Sequence, residues 1–587
     1  MFVIRALAAF LPFIALAQSP PRKNVILISI DQCQADRLHI YGNSRQTSPN
    51  LDRMAAEGVC FRRFYSAAPW TAPSYTAMMT SQYPSRHGVT LFFPRQVEAP
   101  KPDATLLAEL FRSAGYQTSA FVNNSVAGKH VTGRGFDEYD EGQLRATNIT
   151  ERSSLRNDEF KAPATTARVL RWLAQEHTKP FFLFLLFFEP HSPYDPAPEH
   201  DLFKGDAYPQ EVNHGYDVKT GRLFRLANLG DAKAIERMTQ LYDGKIHFVD
   251  SYVGKVLDYL RSSGLAAQTV VFLTSDHGEL LYSHPEDFMT FDHRSLYDQV
   301  MHVPGLVWGG GVPRGKSVSA MATHIDIAPT LLDLVGLPAK ADAQGKTLVP
   351  VMRNESVVHD YVFGEQDVLE PLRSVRDARY KLILNERTGG KQLFDDQSDP
   401  AEQTDIMDRQ PEVAGRLSSV LERWRRENEP DPVVRDKRWR ELAAAGRQEE
   451  IVDEVTIGSH LQLTGKGWHM ADAADNYKEG SYWTEPATAG DKPKTAVWRV
   501  DNPLLGEYRI SIWYGSIPGG KVASDVPYTV RTRNGGKTFR IDQTQNAGKW
   551  IELGVFHDPW DVMLTNQASG RVIVDAVRFE RISQTSK

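Results

Sequence analysis

At 587 residues the chain is longer than one hydrophobic core usually serves, and its 41% apolar and 24% charged content is ordinary for a globular protein. Its formal charge of −6 comes with both signs interspersed and no basic stripe or polybasic run, which argues against nucleic acid or an anionic membrane surface as partner. Two cysteines, Cys33 and Cys60, exclude a disulfide-dense scaffold and leave their pairing open.

The N-terminus reads as an export signal over 1–17. Arg5 supplies the positive start, 6–16 a short apolar stretch, and Ala15-Leu16-Ala17 a small-x-small cleavage site before Gln18. That stretch is too short to span a bilayer, Pro20-Pro21 break the chain after it, and the later apolar run 180–188 is also too short. The expectation is a periplasmic or secreted protein with no integral membrane segment once the signal is removed.

From 22 to 430 apolar runs alternate with amphipathic helical patterns. The runs 24–30 (NVILISI) and 269–274 (TVVFLT) are continuous and rich in β-branched residues, as strands buried on both faces should be; 181–188 has the same character, with a length that also admits a helix. Helices are expected over 48–58, 104–115 and 250–263, the first two closed by Gly58 and Gly115 and the third followed by Gly264. This alternation predicts an α/β domain with a mostly parallel sheet flanked by helices. Residues 431–450 are polar and charged and read as a partly helical linker. Over 451–583 short alternating strands follow, at 507–513, 528–532, 537–542, 550–556 and 571–579, with turns such as Asn534-Gly535-Gly536. That pattern predicts an all-β antiparallel sandwich.

Two of the buried strands run straight into metal-type ligands, the first into Asp31 and Gln32, the second into Asp276 and His277. Polar groups just past the carboxyl ends of parallel strands converge on the ligand crevice. Two carboxylates, an imidazole and an amide oxygen suit one divalent cation, Ca, Mg, Mn or Zn. Either Asp alone would read as a plain helix cap. In Trp70-Thr71-Ala72-Pro73-Ser74, Thr71 stands where a helix begins, and a hydroxyl ligating a cation at that positive helix end becomes a nucleophile. A simple N-cap is the competing reading.

Together, residues 24–89 and 269–404 resemble the sulfatase branch of the alkaline-phosphatase superfamily. The resemblance is carried in order by SPNLDRMAAEGVCF (48–61), TSQYPSRHGV (80–89), PHSP (190–193), SDHGE (275–279), SLYDQVMHVPGLVW (295–308), HIDIAPTLLDLVGLP (324–338), SVRDARYKLI (374–383) and LFDDQSDPAEQ (393–403). It implies that Asp31, Gln32, Asp276 and His277 are metal ligands, Thr71 the nucleophile and a further ligand, and His191 a substrate-binding or leaving-group residue. The motif departs from the family's C/S-x-P-x-R, whose first residue becomes formylglycine: Thr71 is no known substrate for that oxidation, and Tyr75 replaces the arginine. Asn123 and Ser125 stand where the family has a lysine and a histidine, and His293 where it has a later lysine. The resemblance thus puts Tyr75 and Asn123 against the substrate and makes His293 a catalytic candidate.

A formylglycine hydrate expels sulfate by forming a carbonyl; a threonine ester must instead be opened by water at sulfur or phosphorus. Related branches use phosphoryl-threonine, and phosphoryl transfer relies on positioning and charge. The expected function is therefore an exported metal-dependent hydrolase of a sulfate, phosphate or phosphonate ester, phosphorus favoured, acting on a small-molecule or glycan substrate. Competing readings are an unmodified-nucleophile sulfatase of sulfated glycans, a phosphoryl transferase, and a catalytically silent glycan-binding protein. Asp243, His247, Asp250 and His284 could lie near the metal but read more simply as ordinary helix or loop residues. Residues 451–583 resemble the golvesin C-terminal or xanthan-lyase-associated sandwich through GEYRISIWY (506–514), DVPYTVRTRNGGKTFRIDQ (525–543), KWIELGVF (549–556) and VIVDAVRFE (572–580). Their tryptophans, Trp468, Trp483, Trp513 and Trp550, fit a core better than a glycan-binding face.

Overall fold

The continuous apolar runs form strands whose alternate residues enter two separate cores. In β1 (Asn24–Ile30), Ile26, Ile28 and Ile30 pack on one face, and Val25 and Leu27 on the other. The run that admitted either element is a strand: in β5 (Phe181–Phe187), Phe181, Leu183, Leu185 and Phe187 join the first core and Phe182, Phe184 and Leu186 the second. A strand buried on both faces has no polar side to display, which is why neither run alternates in polarity.

The structure is a computed structural model and describes residues 22–90, 99–124, 126–142, 162–205, 222–284, 291–354, 357–430, 437, 440, 449–452, 460–471, 473–477, 480–500, 504–517 and 519–582. The expected signal segment, most of the expected linker, and Ser125 lie outside these residues. The remaining strands of the main sheet are β2 (Val59–Tyr65), β3 (Gln117–Val122), β4 (Glu138–Asp140), β6 (Thr269–Thr274), β7 (Gly305–Gly309) and β8 (Lys316–Thr323). Their order is β4-β3-β5-β1-β6-β7-β2-β8. Pairing is parallel except at β7, which runs against both β6 and β2. The carboxyl ends of β1, β2, β3, β5 and β6 therefore share one edge.

Helices cover both faces. Helices α1 (Pro49–Ala56), α2 (Thr71–Thr80) and α3 (Ala232–Ser262) frame the edge that carries the expected ligands. The expected helix at 250–263 is the second half of α3. Its first half buries Arg237, Lys245 and Asp243, paired with Asp201 at 2.8 Å, with Asp195 at 3.0 Å, and with Arg45 at 2.7 Å plus Arg37 respectively. These buried pairs hide the apolar stripe from a sequence reading.

A second, antiparallel sheet of β9 (Val362–Gln366), β10 (Leu372–Arg376), β11 (Tyr380–Asn385) and β12 (Lys391–Asp395) has the order β12-β11-β10-β9 and packs under α4 (Pro411–Asn428). Trp424 of α4 stacks on Phe363 at 4.6 Å and meets Tyr83 edge-on at 5.2 Å, joining the second sheet to the segment that follows α2. Trp424→Ala is expected to cost about 3–5 kcal/mol of stability, read from the denaturant midpoint.

Beyond residue 449 every described strand pairs antiparallel, in sheets of four, five and three strands that form a sandwich-like region. The expected strand 571–579 is two, Val572–Val574 and Ala576–Arg581, interrupted at buried Asp575, whose carbonyl accepts the Trp498 indole N–H at 3.1 Å. Both cysteines are free and buried. No helix among the described residues is long and apolar enough to cross a membrane.

Candidate metal and nucleophile site

Register sets the first pair of candidate ligands. β1 and β6 are neighbours with Ser29 opposite Thr274, so Asp31 and Asp276 leave adjacent strands at the same level. Asp31, Asp276 and His277 each offer one ligand atom, all within 4.8 Å of one another, and all three residues are buried.

The local hydrogen bonds fix the lone pairs. His277 Nδ1 donates to the Gly278 carbonyl at 2.9 Å, so the neutral ring carries its lone pair on Nε2. That nitrogen lies 3.4 Å from Asp276 Oδ2. Asp276 Oδ1 already accepts the amides of Gln32 and His277, each at 2.9 Å. Four buried acceptors are left without a hydrogen-bond partner: Asp31 Oδ1, Gln32 Oε1, Asp276 Oδ2 and His277 Nε2. Buried acceptors with nothing to accept are costly, and converging ones of like sign more so. Three of them, on Asp31, Asp276 and His277, offer ligand atoms close enough for one divalent cation, and two carboxylates with an imidazole are a donor set that suits such an ion. Without a cation, burial and then the Asp276 charge push the Asp31 carboxyl well above the usual range.

Asn124, which the sequence reading passed over, donates from Nδ2 to Asp31 Oδ2. Asn123, its neighbour, is 4% exposed at the end of β3. Tyr242 of α3 steadies the turn after β1, donating to the Gln32 carbonyl at 2.5 Å and accepting the Gln34 amide at 3.0 Å.

The chain from β2 into α2 is bound to the same cluster. The Ser66 hydroxyl donates to the Asp276 carbonyl at 2.7 Å, and His293 Nδ1 donates to the Pro69 carbonyl at 2.8 Å while its ring stacks on His277 at 4.2 Å. Thr71 follows as the first residue of α2, 6% exposed. One turn on, Tyr75 hydrogen-bonds Ser29 at 2.9 Å, two residues before Asp31. This bond ties the start of α2 to the end of β1. Tyr75 is fully buried against Phe184, with its hydroxyl engaged by Ser29.

His191 follows β5, next to the edge: the Asp31 amide donates to the Phe187 carbonyl at 2.8 Å. Its ring stacks on Phe188 at 4.4 Å and Nδ1 donates to the Ser192 carbonyl at 2.8 Å.

The four looser candidates are engaged elsewhere. Asp243 pairs with Arg37 and Arg45. Asp250 accepts the Asn50 and Leu51 amides at the start of α1, at 3.1 and 2.9 Å, and burial raises its pKa to about 6. His247 meets His200 at 2.8 Å, and His284 stacks on Tyr297 at 3.8 Å. A second acidic group, Asp298, Asp396 and Glu402, is neutralised by Arg376 and by Lys381, the latter 2.7 Å from Asp298 and 2.8 Å from Glu402. In the sandwich, Trp468 is buried, and Trp483 lies between His469 at 4.4 Å and Arg571 at 4.3 Å, so its faces are taken.

A mixed, helix-flanked sheet with a buried acidic cluster at its carboxyl edge is an architecture found in solved ester hydrolases. A solved phosphonate monoester hydrolase from Silicibacter pomeroyi shares the fold, with a TM-score of 0.57 at 22% identity over 69% of this chain and 96% of its own. The chain belongs to the sulfatase family, whose model matches residues 23–337. The models for the N-sulphoglucosamine sulphohydrolase C-terminal region and the golvesin C-terminal domain match 286–427 and 450–581. Among curated relatives, a sulfatase of Formosa agariphila is 29% identical over 430 residues, covering 65% of this chain and 82% of its own. A Δ4,5-hexuronate-2-O-sulfatase of Bacteroides thetaiotaomicron is 26% identical, covering 67% and 86%.

Proposed function

We propose that the chain is an exported, metal-dependent ester hydrolase in which Thr71 is the nucleophile and Asp31, Gln32, Asp276 and His277 hold one divalent cation. The observation that carries this reading is the set of four buried acceptors without partners, in a cluster tied to the segment leading into α2 through Ser66 on the Asp276 carbonyl and through His293, which bonds Pro69 and stacks on His277. Such a cation supplies positive charge that acidifies a ligating hydroxyl and polarises a bound ester. Thr71 Oγ1 attacks sulfur or phosphorus in line and expels the alcohol. His191 and His293 have Nδ1–H committed to backbone carbonyls, and burial holds the His293 pKa well below its ordinary value, so Nε2 is the nitrogen that takes up the proton Thr71 releases and passes it to the departing alkoxide. Water then cleaves the threonine ester at sulfur or phosphorus, because a threonine cannot release the group by forming a carbonyl. Asn124 orients Asp31, and Asn123 beside it is offered to the substrate anion.

This route favours a phosphorus ester. A second reading, a sulfate ester of a glycan, is supported by the relatives, one of them named as acting at O-2 of an unsaturated hexuronate. Side-by-side turnover of 4-nitrophenyl sulfate, bis(4-nitrophenyl) phosphate and a phenylphosphonate ester separates the two. Turnover of none, in protein loaded in turn with Ca²⁺, Mg²⁺, Mn²⁺ and Zn²⁺, would overturn the hydrolase reading. Residues 1–17 serve as the export signal, 22–430 as the catalytic domain, 431–450 as the linker and 451–583 as the sandwich module. Asn124→Ala is expected to weaken metal binding by about 10–100-fold, measured by calorimetric titration, because a ligand's hydrogen-bond partner fixes its orientation.

A further inference from the structure

One rung of the sandwich reaches towards the catalytic region with both of its side chains. Strands Leu461–Leu463 and Thr495–Trp498 pair with Leu461 opposite Trp498, and one step outward the Arg499 amide donates to the His460 carbonyl at 2.8 Å. Arg499 Nη1 then pairs with Glu370 Oε1 at 2.8 Å, and His460 Nε2 lies 3.2 Å from Arg294 Nη1. Arg499 is aimed from behind by Asp561, at 3.1 Å from Nε, and Asp561 is itself 1% exposed and paired with Arg531.

Each contact leads on to the proposed machinery. Glu370 sits in the turn between β9 and β10, also held by Asn385 at 3.2 Å. Val368 and Leu369 of that turn are buried in one cluster with Trp70 and Ala72, the residues on either side of Thr71. Arg294 pairs with Asp292, with Nε to Oδ1 at 2.9 Å, and the same Oδ1 accepts the His293 amide at 2.7 Å. Against the cost of burial, the Arg294 guanidinium holds Asp292 well below the usual carboxylate range, so its charge persists. His293 in turn bonds the Pro69 carbonyl and stacks on His277.

We infer that His460 and Arg499 form a two-pronged positioning device through which the C-terminal module seats the Thr71 loop and His293. The module is then part of the working site and not a tethered appendage. This rests on the reading of Thr71 as nucleophile, and it makes both residues positioning residues, since neither touches the reacting atoms. Two arms rising from one backbone rung couple the loop and the histidine to a single rigid strand pair, so small displacements of either are resisted together. Misplacing a reacting group by about 1 Å can cost about 10²-fold in rate.

The test uses the full-length protein with Arg499→Leu, His460→Ala, their combination, and Arg499→Lys. Amide hydrogen exchange is followed in 66–80 and 291–296, alongside kcat, KM and Mn²⁺ binding. Exchange in both segments is expected to rise roughly tenfold in the double variant, with the main-sheet strands unchanged. With an ester that turns over, kcat is expected to fall about 10–100-fold with KM within about twofold, and Arg499→Lys to recover most of it, because the point charge still reaches Glu370. Unchanged exchange in 66–80 and 291–296, or change confined to the sandwich, overturns the inference. If the double variant fails to fold, Glu370→Gln removes the same ion pair from the other side and must loosen 66–80 on its own. If the wild type hydrolyses no ester, the nucleophile reading fails while the exchange pattern still decides whether the module seats the loop.

Discussion

Thr71→Ala is expected to reduce turnover of the preferred ester by at least about 10³-fold while leaving Mn²⁺ affinity within roughly tenfold and the melting temperature nearly unchanged. The asymmetry follows from where the residue sits. Its hydroxyl is the group asked to form the covalent bond, and removing a nucleophile removes the pathway, leaving only the residual effect of binding and electrostatics. The proposed metal ligands come from the ends of β1 and β6 and do not depend on Thr71 for their orientation. Helix α2 starts at a Trp70 N-cap whose side chain makes no cap bond, and its first turn is secured by the Ser74 hydroxyl on the Ala68 carbonyl at 2.7 Å, so losing one methyl and one hydroxyl at Thr71 leaves the helix in place. Thr71→Ser, which keeps the hydroxyl and drops a stiffening methyl, should retain a measurable fraction of the rate. Burst kinetics and mass spectrometry of rapidly quenched enzyme give the direct check: a covalent adduct on the peptide holding residue 71 in wild type and Thr71→Ser, and none in Thr71→Ala. A Thr71→Ala enzyme with wild-type kcat would overturn the nucleophile assignment while leaving the metal site standing.

The parts of this site legible in sequence are those held by a single strand and its first following residues. NVILISI running into Asp31-Gln32, and TVVFLT into Ser275-Asp276-His277, each carry their own strand signal and their own candidate ligands. Asn124 was not legible, because its meeting with Asp31 depends on β3 lying two strands from β1 with β5 between them, a register no local pattern encodes. Family correspondence pointed only to its neighbour, Asn123, for a different role. Tyr75 lies on the same face of α2 as Thr71, four residues on, and its hydroxyl meets Ser29, a contact set by the packing of α2 on β1 that no local pattern encodes. The sandwich was legible from its alternation and turns, but its reach into the catalytic region was not. That contact is made by one arginine and one histidine, types common on any surface, and only the pairing of Leu461 with Trp498 brings them together. The ionic first half of α3 escaped because its buried charges meet partners distant in sequence, so polarity there marks an interior network and not a solvent face.

Asp31→Asn is expected to reverse its effect on stability according to whether metal is present. With a saturating divalent cation the variant should be less stable than wild type, since a neutral amide replaces a charged ligand and the linkage between binding and folding weakens. Occupancy at 100 times the dissociation constant is worth about 2.7 kcal/mol, and that contribution is what the substitution reduces. In excess chelator the order should invert. Two buried carboxylates and an imidazole lone pair then face one another within 4.8 Å, a cost the wild type lowers only by protonating Asp31, whose carboxyl is pushed well above the usual range, and one the variant avoids at every pH. The side-chain amide introduced by this substitution would also offer Asp276 Oδ2 an N–H in place of a repelling oxygen, filling one of the acceptors left without a partner. The relief should be about 1–3 kcal/mol, the scale of satisfying a buried polar group. Denaturant titrations of both proteins, with Mn²⁺ and with chelator, give the four midpoints needed. Curves that cross identify the cluster as one built around a cation and strained without it; a variant less stable than wild type in both conditions would mean that the Asp31 carboxylate is held by its protein neighbours alone, and the metal reading would fall with it.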